Sequence, residues 1–108
     1  MPIPITLADL RRIPEPVPLL VDVRKSPARA ASGHAVPGSL RGDPADVDSW
    51  SRALLGRTVV VYCVHGHEVS QGVADRLTGF GVDCRYLVGG FAAWEAAGHP
   101  LEPIGADT

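Results

Sequence analysis

The sequence has little cysteine, few aromatic residues and no long apolar run. Its 108 residues include two cysteines, and 6% are aromatic. Two cysteines are too few for a disulfide framework, which excludes the disulfide-held class of small secreted domains. No apolar run approaches the length of a membrane span, and the N-terminus lacks the basic start, apolar core and cleavage site of a signal peptide. We therefore expect a cytoplasmic protein with no membrane partner, in which both cysteines are thiols.

The sequence also has no block of charge of one sign. The formal net charge is -2, and the ten Lys and Arg residues are scattered, so nucleic acid is not an expected partner. No internal repeat and no nucleotide or flavin motif occurs, and we expect no cofactor. The chain is 45% hydrophobic and 20% charged, as in ordinary globular proteins, and its length suits a single domain over residues 1–108.

Three apolar segments predict buried strands, and the most strongly β-forming of them is Thr58–Tyr62. The other two are residues 18–23 and 84–88, and residues 39–40 offer a further short strand. We expect the rest of residues 24–42 to form a structured loop, because it is rich in Ser, Ala, Gly and Pro. We expect the tail from Leu101 to fray.

Helices are predicted between these strands. Thr6 and Asp9 have the form of a capping box, which opens a short helix that closes before Pro14. The other helix signals are Asp43-Pro44 before Val47, Trp50 and Leu54; Ser70 as the cap of a helix bearing Val69, Val73, Leu77 and Phe80; and Gly89-Gly90 before Phe91 and Trp94. Strands that alternate with helices predict a parallel sheet covered by helices, because parallel strands need crossover connections.

Cys63 occupies the carboxyl end of the strongest strand, where reactive groups of parallel sheets gather. The loop after it leads into a helix N-terminus, whose free N–H groups and dipole favour an anion. A thiolate is stabilised in such a place and becomes a nucleophile at neutral pH. The alternative is a small buried apolar residue, as free cysteines often are. We favour the nucleophile, because a lone thiol between a β-branched strand and a capped helix is uncommon.

Four motifs in order resemble the rhodanese (sulfurtransferase) family over nearly the whole chain. They are the strand ending Leu20-Val21-Asp22-Val23-Arg24, the loop Gly33-His34-Ala35-Val36-Pro37-Gly38-Ser39, Cys63 with Gly66, and the ending Leu87-Val88-Gly89-Gly90-Phe91-Ala92-Ala93-Trp94. The resemblance implies an α/β fold with a central parallel sheet of about five strands, flanked by helices on both faces. It also implies that Cys63 forms a persulfide and that Asp22 and Arg24 brace neighbouring loops.

The loop after Cys63 departs from the family pattern. Counted from Cys63 itself to Val69 it has seven residues, a length that resembles the cell-cycle phosphatases and arsenate reductases of this fold. Those relatives end the loop with Arg, and phosphoryl transfer needs such a bidentate cation, so Val69 disfavours phosphatase activity. We expect an anion to be held by the backbone N–H groups of the loop. Its members are Val64, His65, Gly66, His67, Glu68 and Val69.

The sequence leaves three functions open. The first is a sulfurtransferase that moves sulfur from a small anion such as thiosulfate, or from a protein persulfide, to cyanide or a thiol through Cys63. The second is a persulfide carrier without turnover, or an oxyanion-binding or sensing module; the third is arsenate reduction or phosphatase chemistry. Cys63, His65 and His67 could also hold a soft metal, but one tight loop rarely converges three ligands, so we expect rim histidines and no metal. Cys84 is expected to be an inert buried thiol.

Overall fold

Short strands form two sheets, and the larger sheet is parallel. The computed structural model describes residues 1–104. The strands within them are β1 (Ile3–Ile5), β2 (Leu19–Asp22), β3 (His34–Ala35), β4 (Leu40–Arg41), β5 (Thr58–Tyr62), β6 (Asp83–Leu87) and β7 (Glu102–Pro103). The parallel sheet has the order β1-β6-β5-β2-β4, and β3 pairs antiparallel with β7. The strand that precedes Cys63 is therefore the middle strand of the sheet.

Helices connect the parallel strands. They are α1 (Leu7–Arg12), α2 (Ser26–Ser32), α3 (Val47–Trp50), α4 (Glu68–Gly79) and α5 (Gly90–Ala96), and α3 continues into a 3-10 turn over Ser51–Leu54. The predicted cap of α1 is present, since Thr6 Oγ1 accepts the Asp9 N–H at 3.1 Å. Among residues 1–104 no helix is both long and apolar enough to cross a bilayer.

Alternate side chains of β5 supply the cores on the two faces of the sheet. Val59 and Val61 lie in the apolar cluster with α3 and α4, whereas Val60 and Tyr62 lie in the cluster with α1 and α5. All four are at most 1% exposed, and full burial of one such side chain stabilises the fold by about 1.5–3 kcal/mol. Since strand residues alternate between faces, helices cover both sides of the sheet. The predicted fold class is confirmed.

The segment expected to be one structured loop, residues 24–42, contains α2, so that prediction is wrong. The helix has Pro27 in its first turn and ends at Gly33, which has a left-handed φ of 69°. Proline is compatible with a first turn, because its missing N–H would have no partner within the helix there, and glycine readily takes the left-handed cap. Ser, Pro and Gly thus mark the two ends of a helix. The short strand expected at residues 39–40 lies one residue later, as β4.

Two helices begin at other residues than predicted. Asp43 Oδ1 accepts the Ala45 N–H at 2.9 Å, and α3 begins only at Val47. An aspartate that bonds its own backbone two residues on forms a turn that competes with helix. Helix α4 begins at Glu68, and Ser70 therefore lies in its first turn and does not cap it.

The C-terminal tail also differs from expectation. The tail from Leu101 is ordered as far as Ile104, whose N–H donates to the carbonyl of Gly33 at 3.0 Å after β7 has paired with β3. The part of the predicted fraying tail at residues 105–108 lies outside the described residues.

Candidate active site

Cys63 directly follows β5 and lies at the carboxyl edge of the parallel sheet. Its side chain is 5% exposed. The β-branched run from Thr58 favours an extended strand. The chain leaves this strand at Cys63 and enters α4 at Glu68. The thiol is therefore enclosed by the loop that connects β5 to α4.

The N-terminus of α5 holds this loop in place. The Phe91 N–H donates to the carbonyl of Cys63 at 2.8 Å, and the Ala92 N–H donates to the carbonyl of Val64 at 2.9 Å. Gly66 has a φ of 73°, and a Cβ there would lie 2.5 Å from the carbonyl oxygen of Leu87. A glycine is needed at this position both for its backbone conformation and for the close approach of the two chain segments.

Four hydrogen-bond donors surround the sulfur of Cys63. Burial alone raises the pKa of the Cys63 thiol, but the Ser70 hydroxyl and the backbone N–H groups of Ser70, Gly66 and His67 lower it further than burial raises it. The thiol sulfur lies 3.1 Å from Ser70 Oγ, which can donate its proton once the thiolate forms. The pKa of Cys63 is thus below its ordinary value, and the groups that lower it are the dipoles of one hydroxyl and three backbone N–H groups.

The donors overlap with the expected loop amides but extend beyond them. Gly66 and His67 belong to the predicted segment from Val64 to Val69, whereas Ser70 lies one residue past its end. Sequence reasoning missed Ser70 as a site residue, because a serine near a helix start was assigned to capping. The available signal was its position in the first turn after a loop that begins with cysteine.

A cavity of about 430 Å³ opens next to the sulfur. We call it the sulfur pocket; it is lined by Arg24, Lys25, Ala28, Cys63, Val64, His65, His67, Glu68 and Val69. The rings of His65 and His67 are 6.2 Å apart, and both side chains are exposed, as is that of Glu68. Within residues 1–104, no three His, Cys, Asp or Glu side chains are grouped closely enough to hold a metal ion.

Asp22 and Arg24 form a buried ion pair beneath the sulfur pocket. Arg24 Nε and Nη2 donate to the two carboxylate oxygens at 2.9 and 2.8 Å, and both side chains are 1% exposed. Arg29 Nε donates to the same carboxylate at 3.0 Å, and Arg24 Nη2 also donates to the carbonyl of His34 at 2.7 Å. The guanidinium of Arg24 lies 4.2 Å from the ring centre of Phe91. The pair therefore joins the end of β2 to α2, β3 and α5.

The second cysteine has a different environment. Burial, with a smaller contribution from the charge of Asp83, raises the pKa of Cys84 to about 12. Cys84 lies in β6, opposite Val59 of β5, and is 2% exposed. The pKa values of the two cysteines thus shift in opposite directions, because the hydrogen bonds to Cys63 outweigh its burial whereas burial outweighs the Val61 backbone hydrogen bond to Cys84.

Together, the fold and the loop define a class of protein: a parallel α/β domain with a buried cysteine of lowered pKa between the middle strand and a helix. The model of one family, the rhodanese-like domain, matches residues 6–97. The chain belongs to the rhodanese-like domain family, as its motifs predict.

Solved structures share this fold. A rhodanese-like domain protein from Staphylococcus aureus matches with a TM-score of 0.80 at 21% identity, over 95% of this chain and 99% of that chain. A protein from Rhodopseudomonas palustris, described as of unknown function and a candidate tyrosine phosphatase, has a TM-score of 0.78 at 24% identity, over 94% and 85%. A thiosulfate sulfurtransferase from Pseudomonas aeruginosa has a TM-score of 0.72 at 22% identity, over 95% of this chain and 20% of that chain. At these identities the likeness shows the fold alone.

Proposed function

We propose that the protein is a sulfurtransferase whose Cys63 carries a sulfur atom as a persulfide between a donor and a thiophilic acceptor. The observation that carries this proposal is the set of four hydrogen-bond donors around a buried thiol whose pKa they lower. Such donors stabilise the thiolate nucleophile before the reaction and the persulfide anion after it. Membership of the rhodanese-like domain family supports the same chemistry.

With thiosulfate as donor, the reaction has two balanced steps. The thiolate of Cys63 attacks the outer sulfur of thiosulfate, and the sulfur–sulfur bond of the donor breaks with its electron pair leaving on sulfite. Cyanide then attacks the outer sulfur of the persulfide anion, and Cys63 leaves as a thiolate while thiocyanate forms. Neither step needs an oxidant or a cofactor. Both steps pass through an anion on sulfur, which is the charge that the loop dipoles favour.

The sulfur pocket has mixed charge, which bears on the donor. Lys25 attracts an anion, whereas the carboxylate of Glu68, which also lines the pocket, repels it. Val69 supplies an apolar side chain where a phosphoryl-transfer site needs a bidentate cation. These contacts support sulfur transfer over phosphatase or arsenate chemistry. We propose that the transfer takes place in the cytoplasm, where a reducing environment keeps the Cys63 thiol free of a disulfide.

The direct test is the intact mass of reduced protein after incubation with thiosulfate. We expect a gain of one sulfur atom, its absence in Cys63→Ser, and its removal by cyanide with an equal amount of thiocyanate formed. Cys84→Ser is the matched control and should load normally, because the high pKa of Cys84 keeps this thiol protonated.

A second donor separates the remaining functions. Inorganic polysulfide is offered to the same protein after circular dichroism has shown that each variant is folded. Loading from polysulfide but not from thiosulfate would indicate a carrier that receives sulfur from a persulfide, which is the alternative function of the site. A folded protein that gains sulfur from neither donor would contradict the proposal and leave an oxyanion-binding module.

A further inference from the structure

The side chain of Gln71, near the start of α4, holds the loop that follows Cys63. Its Nε2 donates a hydrogen bond to the carbonyl oxygen of Gly66 at 3.0 Å, and its backbone N–H donates to the carbonyl oxygen of His67 at 3.1 Å. Because a carbonyl oxygen can only accept, the amide must present its nitrogen to Gly66. Gln71 thus binds two consecutive carbonyl groups between Cys63 and the body of the helix.

The carbonyl group of Gly66 belongs to the same peptide unit as the N–H of His67. That N–H is one of the backbone donors to the sulfur of Cys63. The peptide unit is trans, so it is planar and its C=O and N–H bonds point in opposite directions. A hydrogen bond that holds the Gly66 oxygen on the side of Gln71 therefore holds the His67 N–H on the side of the sulfur.

The backbone at Gly66 needs this restraint. Its φ is 73°, and glycine has more conformational freedom than any other residue, so a released Gly66–His67 peptide unit can rotate and turn its N–H away from the sulfur. The restraint comes from a rigid support, because Val73 and Leu77 anchor α4 in the apolar core. Hydrogen bonds in a chain also polarise one another, so donation to the Gly66 oxygen makes the His67 N–H a stronger donor.

We propose that Gln71 is a positioning residue for Cys63, whose side-chain amide aims the His67 N–H at the sulfur through the Gly66–His67 peptide unit. Among residues 1–104 no hydrogen bond joins Gln71 to the sulfur itself, so its effect on the thiolate is indirect. The benefit to sulfur transfer rests on the proposed function, in which the same N–H stabilises the thiolate before transfer and the persulfide anion after it. The effect on the acidity of Cys63 holds independently of that function.

Two substitutions at Gln71 remove the donor and keep the length of the side chain. Gln71→Met loses both polar groups, whereas Gln71→Glu keeps the shape of glutamine and presents only acceptors when it is ionised. Methionine and glutamate favour helix about as much as glutamine does, so α4 should form in both variants. Thr78→Met is the matched control, because Thr78 is exposed and lies near the far end of the same helix.

The experiment measures the rate of iodoacetamide alkylation of Cys63 against pH, after circular dichroism has shown that each variant is folded. We expect a higher midpoint in Gln71→Met. At a pH about one unit below the midpoint of the unaltered protein, alkylation should slow about two- to tenfold, which is the range that the net contribution of one hydrogen bond gives. The plateau rate at high pH should stay within about twofold, because the thiol remains equally accessible.

The other variants separate hydrogen bonding from charge. Gln71→Glu should raise the midpoint further than Gln71→Met, because its carboxylate also repels the thiolate. This additional shift should shrink in high salt, whereas the shift in Gln71→Met should not. Thr78→Met should leave both the midpoint and the plateau rate unchanged.

The outcomes separate the role of Gln71 from the proposed function. An unchanged midpoint in either folded Gln71 variant would overturn the positioning role. An equal loss of rate at every pH would also overturn it, since access to Cys63 and not its acidity would then have changed. Alkylation needs no sulfur donor, so a protein that loads sulfur from no donor would contradict the proposed function and leave the test of Gln71 valid.

Discussion

Ser70 contributes both its hydroxyl and its backbone N–H to the sulfur site. It is fully buried, and α4 supplies the rigid support that keeps the hydroxyl 3.1 Å from the thiol sulfur. A hydroxyl that is buried against an apolar core needs a partner, and Cys63 is that partner. The serine is therefore a positioning residue for the charge on sulfur, and its effect is measurable as a change in thiol acidity.

Ser70→Ala should raise the pKa of Cys63 and slow its alkylation at neutral pH. The thiolate loses one hydrogen bond to a charged group, which is worth about 1.5–3 kcal/mol. The pH dependence of the rate of iodoacetamide alkylation gives the pKa of Cys63 as its midpoint. In the unaltered protein this midpoint lies below the usual thiol range, and in the variant it moves upward. Ser49→Ala, at an exposed serine of α3, is the control. An unchanged midpoint in a folded Ser70→Ala variant would show that the backbone N–H groups alone set the acidity.

Glu68→Gln should increase the rate at which thiosulfate loads Cys63. The carboxylate of Glu68 lines the sulfur pocket and repels the incoming dianion, so its removal should raise kcat/KM for thiosulfate about two- to fivefold, as expected for an exposed charge. The gain should shrink in high salt, which screens exposed charges. Glu95→Gln on α5 is the control. A rate that falls in Glu68→Gln would mean that the carboxylate serves the reaction.

At the scale of elements, the loop after β5 and the N-terminus of α5 form one unit. Gly66 and Gly90 both have positive φ. Because neither residue has a side chain, the two segments approach each other more closely than a Cβ atom at either position would allow. The two hydrogen bonds from Phe91 and Ala92 to the loop carbonyls depend on this closeness. A change in α5 is therefore expected to reach Cys63 through the backbone.

Gly66→Ala should displace the loop and abolish sulfur loading. A Cβ at Gly66 meets backbone atoms of β6 and of the Gly89 turn, which cannot move aside as a flexible side chain could. Gly98→Ala is a closely matched control, since Gly98 has a φ of 75° but open space around its Cα. Both variants carry the cost of placing alanine at a positive φ. The difference between them in sulfur loading and in the urea midpoint therefore measures the effect of the clash between the Cβ at position 66 and the backbone. Equal behaviour of the two variants would contradict the expected role of Gly66.

Local sequence predicts the elements whose side chains carry their own signal. Thr58–Tyr62 is almost wholly β-branched or aromatic and forms β5, and the capping pair at Thr6 opens α1. Strand β1 was not predicted, because Ile3–Ile5 contains a proline and takes its extended form from pairing with β6 at the edge of the sheet. The pairing of β7 with β3 joins residues far apart in the chain, and no local pattern contains that information.

The chemistry of the site was predictable only in part. Cys63 was identifiable from its place between a strand and a helix, since that connection is local. The direction in which Ser70 points depends on where α4 begins, and a shift of three residues in the cap, from Ser70 to His67, turned an expected cap into a partner of the thiol. The cavity between the start of α2, the turn at residues 43–45 and α4 is formed by three segments that meet only in the folded chain.

At the scale of the whole molecule, Asp22 joins its own strand β2 to α2 and to β4. Asp22 accepts hydrogen bonds from Arg24 and from Arg29 of α2, while Arg41 of β4 donates to the backbone carbonyl of Asp22 at 3.0 Å. The guanidinium of Arg24 is buried, so Asp22 neutralises a charge that has no access to water. The network lies directly under the sulfur pocket and fixes its floor.

Asp22→Asn should destabilise the entire fold. Removal of one partner leaves the Arg24 charge buried without a counterion, which costs roughly 3–5 kcal/mol. Urea denaturation followed by circular dichroism measures this loss. Asp83→Asn removes the exposed ion pair with Arg85 and should cost less than about 1 kcal/mol. Similar urea midpoints for the two variants would mean that the buried pair is replaceable.

The position of Cys84 has a consequence for repair of the protein after oxidation. Cys84 pairs with Val59, four residues before Cys63 on the neighbouring strand, which separates the two cysteines by roughly 13 Å along the sheet. A disulfide requires Cα atoms within about 7 Å, so Cys84 cannot resolve a sulfenic acid formed on Cys63. Peroxide that oxidises Cys63 would therefore inactivate the protein without forming a disulfide within the chain. Recovery of the thiol would depend on a second thiol supplied from outside the chain.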